Sequence, residues 1–455
     1  MVRHEARATR RFVRTRLFVS LSVLMSASIY VPSAGAATIP VQNCDDSGVG
    51  SLRDALGAAL DGDTVDLSQL PSVTGCAADG RDAVITLASP LTGTFGGLTL
   101  MGPPARNGTV TISGNQQIQV LKISAFDIRI RNLTIRDGLD TSGRGGCIAN
   151  ISPGNVELID SLVTGCVTHA SGTMTAKGGG IYSAGGVTLV ESTVSGNAAT
   201  SDAGFAFGGG LYALHGFGNG IGRTALLCSY STVSNNTVSS GQSVSAFGGG
   251  VATRVPSGES ADTVVENSTI EGNASNNDGG GMYLTNTTTI KNSTISGNQS
   301  DRFGLAVALR SSSFALTLMN STVAFNTGAA GGGIEGIIAS VELQSSIVAN
   351  NSNSDLALSM STTVSGSNNL VEATFSPLPP GVALVGVDPM LKPLSFNGGP
   401  TRTHLLLRGS PAIGAGNNSI HGNFDQRGFS YPRESAGITD IGAVQFDTIF
   451  KSGFP

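Results

Sequence analysis

At 455 residues, with 63 glycines, no tryptophan and only 13 % charged residues, the chain could hold two or three globular domains or one elongated repeat array. So much Ser, Thr, Asn and Gly would suit a disordered polymer, but regularly placed Val, Ile and Leu can bury a continuous core and exclude that class. The formal net charge of −5 becomes −10 when six arginines and Glu5 of a leader are set aside, leaving 20 basic against 30 acidic residues. That balance disfavours nucleic acid and anionic lipid as partners.

Residues 1–36 read as a signal peptide, and the protein is therefore expected to be exported. Arg3, Arg7, Arg10, Arg11, Arg14 and Arg16 precede an apolar run from Leu17 to Val31, and Ala34-Gly35-Ala36 forms a small-x-small cleavage site. The run is too short and too rich in serine for a membrane span, so no integral span is expected after signal removal. Residues 37–83 read as an N-terminal cap. Leu52, Ala55, Leu56 and Ala59 share one helical stripe over Asp46 to Ala59, ahead of a first strand at Asp63 to Leu67. A β-solenoid leaves strand edges unpaired at its ends, and this helix is the expected cover.

Residues 84–375 hold the repeats. Four weaker rungs are expected around Val84 to Leu87, Leu98 to Met101, Thr109 to Ser113 and Gln119 to Ile123. From Ile128 a row returns at intervals of 24 to 39 residues, as in Glu191-Ser192-Thr193-Val194-Ser195-Gly196-Asn197 and Asn267-Ser268-Thr269-Ile270-Glu271-Gly272-Asn273. Between rows stands a glycine triplet with an apolar follower, as in Gly178-Gly179-Gly180-Ile181. Short β-branched runs at such a period signal a β-solenoid. Each coil is expected to hold three short strands: the triplet's followers, a run such as Val187 to Val190, and Ser192 to Val194.

Two columns should face inward: Ile135, Val163, Val194, Val233, Ile270, Ile295, Val323 and Ile347, and Ile148, Ile181, Leu211, Val251, Met282 and Ile334. A polar column between the second and third strands (Asn132, Asp160, Glu191, Tyr230, Asn267, Asn292, Asn320 and Gln344) suits a tight left-handed turn, and its asparagines could stack as an amide ladder. Insertions after the third strand, Ala198 to Phe207 and Thr237 to Phe247, should mark one variable face. From Ser376 the repeat stops, and a distinct tail occupies 376–455.

Candidate functional residues are few. Tyr182, Tyr212 and Tyr283 follow successive inward residues and would form an outward aromatic stripe, which suits a linear glycan. The outward first-strand positions carry no stacked acid pair. Asp202, Asp278, Asp301, Arg302 and the histidines His169, His215, His404 and His421 are scattered, and Asp425-Gln426-Arg427 reads as a structural ion pair or turn. No catalytic residue, no metal-ligand spacing and no cofactor are implied. In an exported chain Cys44 could pair with Cys76 and Cys147 with Cys166, leaving Cys228 as a buried thiol.

Three features resemble a family of secreted bacterial proteins. Gly50-Ser51-Leu52-Arg53-Asp54-Ala55 is similar to a Cys-Ser-Leu-Arg-Glu-Ala segment that opens many of them, and the Gly-Gly-x-Ile rows resemble those of polymorphic outer-membrane proteins. Asp388-Pro389-Met390-Leu391, Asn397-Gly398-Gly399-Pro400-Thr401, Gly409-Ser410-Pro411-Ala412-Ile413, Asp425-Gln426-Arg427-Gly428 and Asp440-Ile441-Gly442-Ala443 resemble the choice-of-anchor tail. The resemblance implies an all-β fold, a right-handed single-stranded parallel β-helix of the pectin-lyase-like class, capped at both ends. It implies a cell-surface, extracellular or periplasmic place. The expected function is a non-catalytic, adhesin-like protein that binds glycan or cell-surface protein along its long face. The alternative is a polysaccharide lyase or glycoside hydrolase, the one reading under which Ca²⁺ would enter.

Overall fold

The computed structural model describes residues 35–77, 81–215, 224–242, 245–256, 259–418 and 420–446. All but the end of the signal segment expected over 1–36 lies outside the described residues. Residues Ala36–Pro455 belong to one compact unit. Three long sheets run its length. The first face has ten strands, from Leu91–Phe95 to Leu356–Leu358, and the second and third have twelve each. Every strand in them pairs parallel with its counterpart one coil away, as Ile181 with Leu211 and Val194 with Val233. This is a parallel β-helix, and its crossovers take the right-handed sense that twisted parallel strands require.

The alternation inside each strand fixes the core. Ile135, Val163, Val194, Val233, Ile270, Ile295 and Val323 are all fully buried, as are Ile148, Ile181, Leu211, Val251, Met282 and Ile334. Val307, which no glycine triplet announces, completes the second column between Met282 and Ile334. The first column slips once. Val323 pairs with Val348, so Val348, not Ile347, enters the core. The left-handed turn residue in that coil is accordingly Ser345 (φ 47°), not Gln344.

Two hydrogen-bonded ladders reinforce the stack. The serine hydroxyls of Ser192, Ser231, Ser268, Ser293 and Ser321 each accept from the backbone N–H of the equivalent serine one coil earlier, at 3.0 to 3.2 Å. The amide ladder lies not in the turn column but at the last Asn of each row. Asn197, Asn236, Asn273, Asn298 and Asn326 each donate to the next, ending on Asn351, at 2.8 to 2.9 Å. All but the terminal Asn351 are buried, and each ladder bond satisfies an amide that water cannot reach. The glycine triplet has a steric cause. Gly178 sits at φ +68°, and a Cβ on Gly179 would lie 2.1 Å from the Gly209 carbonyl of the next coil.

The four early segments are not four rungs but strands of different faces. Asp82–Thr86 and Thr109–Ser113 lie on the third, Leu98–Met101 on the second and Leu121–Ala125 on the first. The cap helix, Leu52–Ala58, starts later than the expected Asp46 because Ser51 caps it. Ser51 Oγ accepts from the Asp54 N–H and Asp54 from the Gly50 N–H, a reciprocal cap. Cys44 is bonded to Cys76 and Cys147 to Cys166, with Cα separations of 5.2 and 5.4 Å, while Cys228 is free and buried. The insertions are not loose. Ala198–Ser201 and Thr237–Ser240 join a seven-stranded fourth strip, and Ala206–Phe207 and Ala246–Phe247 a three-stranded one.

The third face continues to Ala383–Val385, past the expected break at Ser376. The tail then folds back over that face. Gln426, fully buried, donates to Thr269 Oγ1 and Thr401 Oγ1 at 3.0 Å and accepts from Thr294 Oγ1 at 2.6 Å. Asn292 and Asn320 donate to the Phe424 and Asn417 carbonyls. Asp425 and Arg427 form a fully buried ion pair at 2.7 Å, which Arg427 extends to the Gln445 carbonyl.

Candidate functional site

The tyrosine column exists in register, but it is not an exposed stripe. Ala149, Tyr182, Tyr212 and Ala252 stack along the first face. Tyr182 and Tyr212 are 4 % and 1 % exposed, and Tyr283 is half-buried. The short strands at Lys177, Phe207 and Phe247 stand beside them in their own register. Phe207 packs 5.9 Å from Tyr212, and Phe247 4.8 Å from Tyr283. Burial pushes the Tyr212 phenol up to about 12. No sugar ring can stack on Tyr182 or Tyr212 in this arrangement. The missing element is the roof, formed by the residues just before each glycine triplet, Phe207 and Phe247.

That roof presents its own surface. Phe205 is 51 % exposed and stacks on Phe207 and Phe247. Beside this ridge lie three cations. Arg144 sits over the Tyr182 ring at 5.4 Å and Lys177 over Tyr212 at 5.8 Å. Arg254 reaches the Tyr212 hydroxyl across the space left by Ala252. Among the described residues none of the three has a carboxylate partner. Burial pushes the Lys177 ammonium down, and the positive charges of Arg144 and Arg254 push it further. One end of this face differs: Arg310 is held by Asp278 at 3.1 Å and Glu335 at 3.7 Å.

A second feature lies in the turn column. Asp160 and Glu191 occupy the same left-handed position in successive coils and are hydrogen-bonded through their side chains. Burial, then the neighbouring negative charge of Asp160, raises the Glu191 carboxyl. The pair lines a groove of 620 Å³ with Pro103, Pro104, Asn132 and Thr134. Both residues are legible in the sequence at one position of consecutive rows, a signal that a search of first-strand positions passes over. A larger groove of 650 Å³ on the second face includes Arg129, Asn155, Glu157 and Thr188, but its arginine is neutralised by Glu157 at 2.5 Å.

The scattered groups have local partners. Asp46 pairs with Arg53, and His169 with Asp202 at 3.5 Å. His215 is buried, His421 is exposed, and His404, in the tail, is buried against the third face. Among the described residues no cluster of three His, Cys, Asp or Glu could hold a metal ion, and no helix is long and apolar enough to cross a membrane.

No family model matches the chain, and no curated protein matches it. Among solved structures it is similar to the crystal structure of pectate lyase Pel9A, at 14 % identity and a TM-score of 0.44, over 91 % of this chain and 98 % of that one. The class is set by the sheets themselves: a parallel β-helix with a folded-back tail.

Proposed function

We propose that the protein is exported and that its first face acts as a non-catalytic, adhesin-like binder of glycans, and that the glycans it takes are acidic. The observation that carries this reading is the row of Arg144, Lys177 and Arg254 beside the Phe205 ridge, cations without carboxylate partners among the described residues in a chain of net charge −5. A carboxylate or sulfate on a polysaccharide would supply the missing partner, through charge-assisted hydrogen bonds stronger than neutral ones. The exposed Phe205 ring offers a face for a pyranose. Contacts repeated along a rigid rod let weak single-sugar affinities add as avidity.

The test is titration of the mature protein with polygalacturonate, alginate and neutral dextran, read calorimetrically. Binding to the two acidic polymers and not to dextran is expected, weakening as salt rises. Lys177→Ala with Arg254→Ala should lower affinity about tenfold or more, the scale of one lost charge-assisted bond. Equal binding to dextran, or unchanged affinity in the double variant, would move the site elsewhere.

A second reading, a glycoside hydrolase or lyase, is favoured by Asp160 and Glu191, because a raised carboxyl beside a second carboxylate can serve as acid with its neighbour as base. It is tested by release of reducing ends and of unsaturated products, with and without Ca²⁺. Activity abolished by Glu191→Gln supports it, and inactivity on all three polymers retires it.

A further inference from the structure

A nucleophile and a base meet where the tail covers the third face. Ser296 ends the strand Thr294–Ser296 and points outward from the core. Its hydroxyl lies 2.8 Å from Nε2 of His404, which the tail delivers 108 residues later in the chain. The other ring nitrogen, Nδ1, lies 2.6 Å from the Lys392 carbonyl oxygen. A carbonyl can only accept, so Nδ1 carries the proton and Nε2 presents its lone pair to the serine. Ser296 Oγ–H therefore donates to His404 Nε2, and the Lys392 carbonyl holds the imidazole in that tautomer. Burial also pushes His404 below the ordinary histidine range, which keeps the ring neutral.

The hydrogen bonds by which Gln426, Asn292 and Asn320 join tail and helix are closed pairings of neutral amides, hydroxyls and carbonyls. This one opens on a cavity of 540 Å³. Its walls include Phe325, Leu391, Pro393 and Leu394. Phe325 packs against the His404 ring at 5.0 Å. The charged group in the lining, Glu271, is neutralised by Arg402 at 3.4 Å. Gly297, the next residue after Ser296, also lines the cavity. Its N–H makes no hydrogen bond to any described residue, and a Cβ placed on it would meet nothing nearer than 3.9 Å. Nucleophile, oriented base, apolar acyl-sized space and a free N–H donor are the parts that acyl transfer uses.

We infer that Ser296 and His404 form a hydrolytic dyad for short-chain carboxylic esters. The Ser296 oxygen adds to the ester carbonyl carbon while its proton passes to His404 Nε2. The N–H of Gly297, in the lining of the same cavity and without a partner among the described residues, would be the donor to the oxygen that becomes negative. Nε2–H then protonates the departing alcohol as its C–O bond breaks, leaving an acyl-serine. Water, deprotonated by Nε2, attacks that ester, releases the carboxylic acid and restores the serine hydroxyl. No oxidant, reductant or metal enters the balance.

The mature protein is treated with a fluorophosphonate probe and, separately, with p-nitrophenyl acetate. The expected result is one adduct mapped to the peptide containing Ser296, and nitrophenol release that falls at least 100-fold in Ser296→Ala. His404→Gln should suppress both adduct and turnover. Ser296→Ala deletes one hydroxyl and keeps the tail's other anchors, so its melting curve shows whether the fold persists. A wild-type protein without an adduct at Ser296, or nitrophenol release undiminished in Ser296→Ala, would overturn the assignment. Glycan binding at the Arg144–Lys177–Arg254 row is a separate measurement, and its loss or retention leaves this test unaffected.

Discussion

The third face keeps one strand register over its whole length, yet its two halves meet different neighbours. In the bare half, outward positions hold Arg136, Thr164 and Ser195, and the turn column holds Asp160 and Glu191, open to water. In the half beneath the tail, the equivalent positions hold Glu271, Ser296 and Ala324, all buried, and the turn residues Asn292 and Asn320 give their amides to tail carbonyls. The repeat sets where a side chain stands. The neighbour across the surface decides whether it is a solvated charge, an anchor or part of a cavity.

The largest effect should ignore that division. Asp in place of Val163, beneath the bare half, or of Ile270, beneath the tail, buries an unpaired charge in the shared core. Each should lower stability by about 4 kcal/mol or more, read as loss of soluble protein or collapse of the urea midpoint. Melting of Ile270→Asp like wild type would refute the column assignment. Unequal losses would show that the tail braces the coils under it.

Next in size, Gln426→Ala should loosen the tail. It strips Thr269, Thr294 and Thr401 of a buried partner, a loss of about 2–4 kcal/mol. Limited proteolysis should then cut within 386–446 while the rod's melting stays near that of wild type. If rod and tail melt together at a lower temperature, the two are one cooperative unit.

A smaller, pH-dependent effect distinguishes the covered half. The His404 pKa is lowered in the folded state by burial, so the unfolded chain binds that proton more readily. Its contribution is complete above the unfolded value of about 6.5 and declines as pH falls from there through the folded value. Wild type should therefore lose more melting temperature between pH 7 and pH 5 than His404→Gln does. Equal losses would show that His404 does not couple to folding. The smallest effect is in the bare half. Glu191 has a raised pKa, so it opposes folding at pH 7 and ceases to do so as pH falls to the usual carboxyl range. Glu191→Gln should stabilise by a few tenths of a kcal/mol at pH 7 and by nothing measurable at pH 4, in paired thermal melts.

Much of the rod is legible in its repeats because an inward position recurs once per coil and tolerates only apolar residues. The reading slipped where chemistry repeats inside a row. Ser345-Ser346 and Ile347-Val348 offer two serines and two β-branched residues in succession, and either alignment satisfies the pattern. The structure resolves it because Gly442 of the tail packs onto Ile347. The tyrosine column stands in the expected register but is covered: Phe207 and Phe247 hold the position just before each glycine triplet, and their rings lie against it.

The sequence by itself determined the coil, the inward columns and the polar turns, since each follows from alternation and spacing within some 24 to 39 residues. Tertiary structure alone decided what lies over the outward residues: that the tail covers one half of the third face, and that Ser296 meets His404 across 108 residues. Outward positions face whatever the chain later lays on them, and no local period encodes contacts made at such separations.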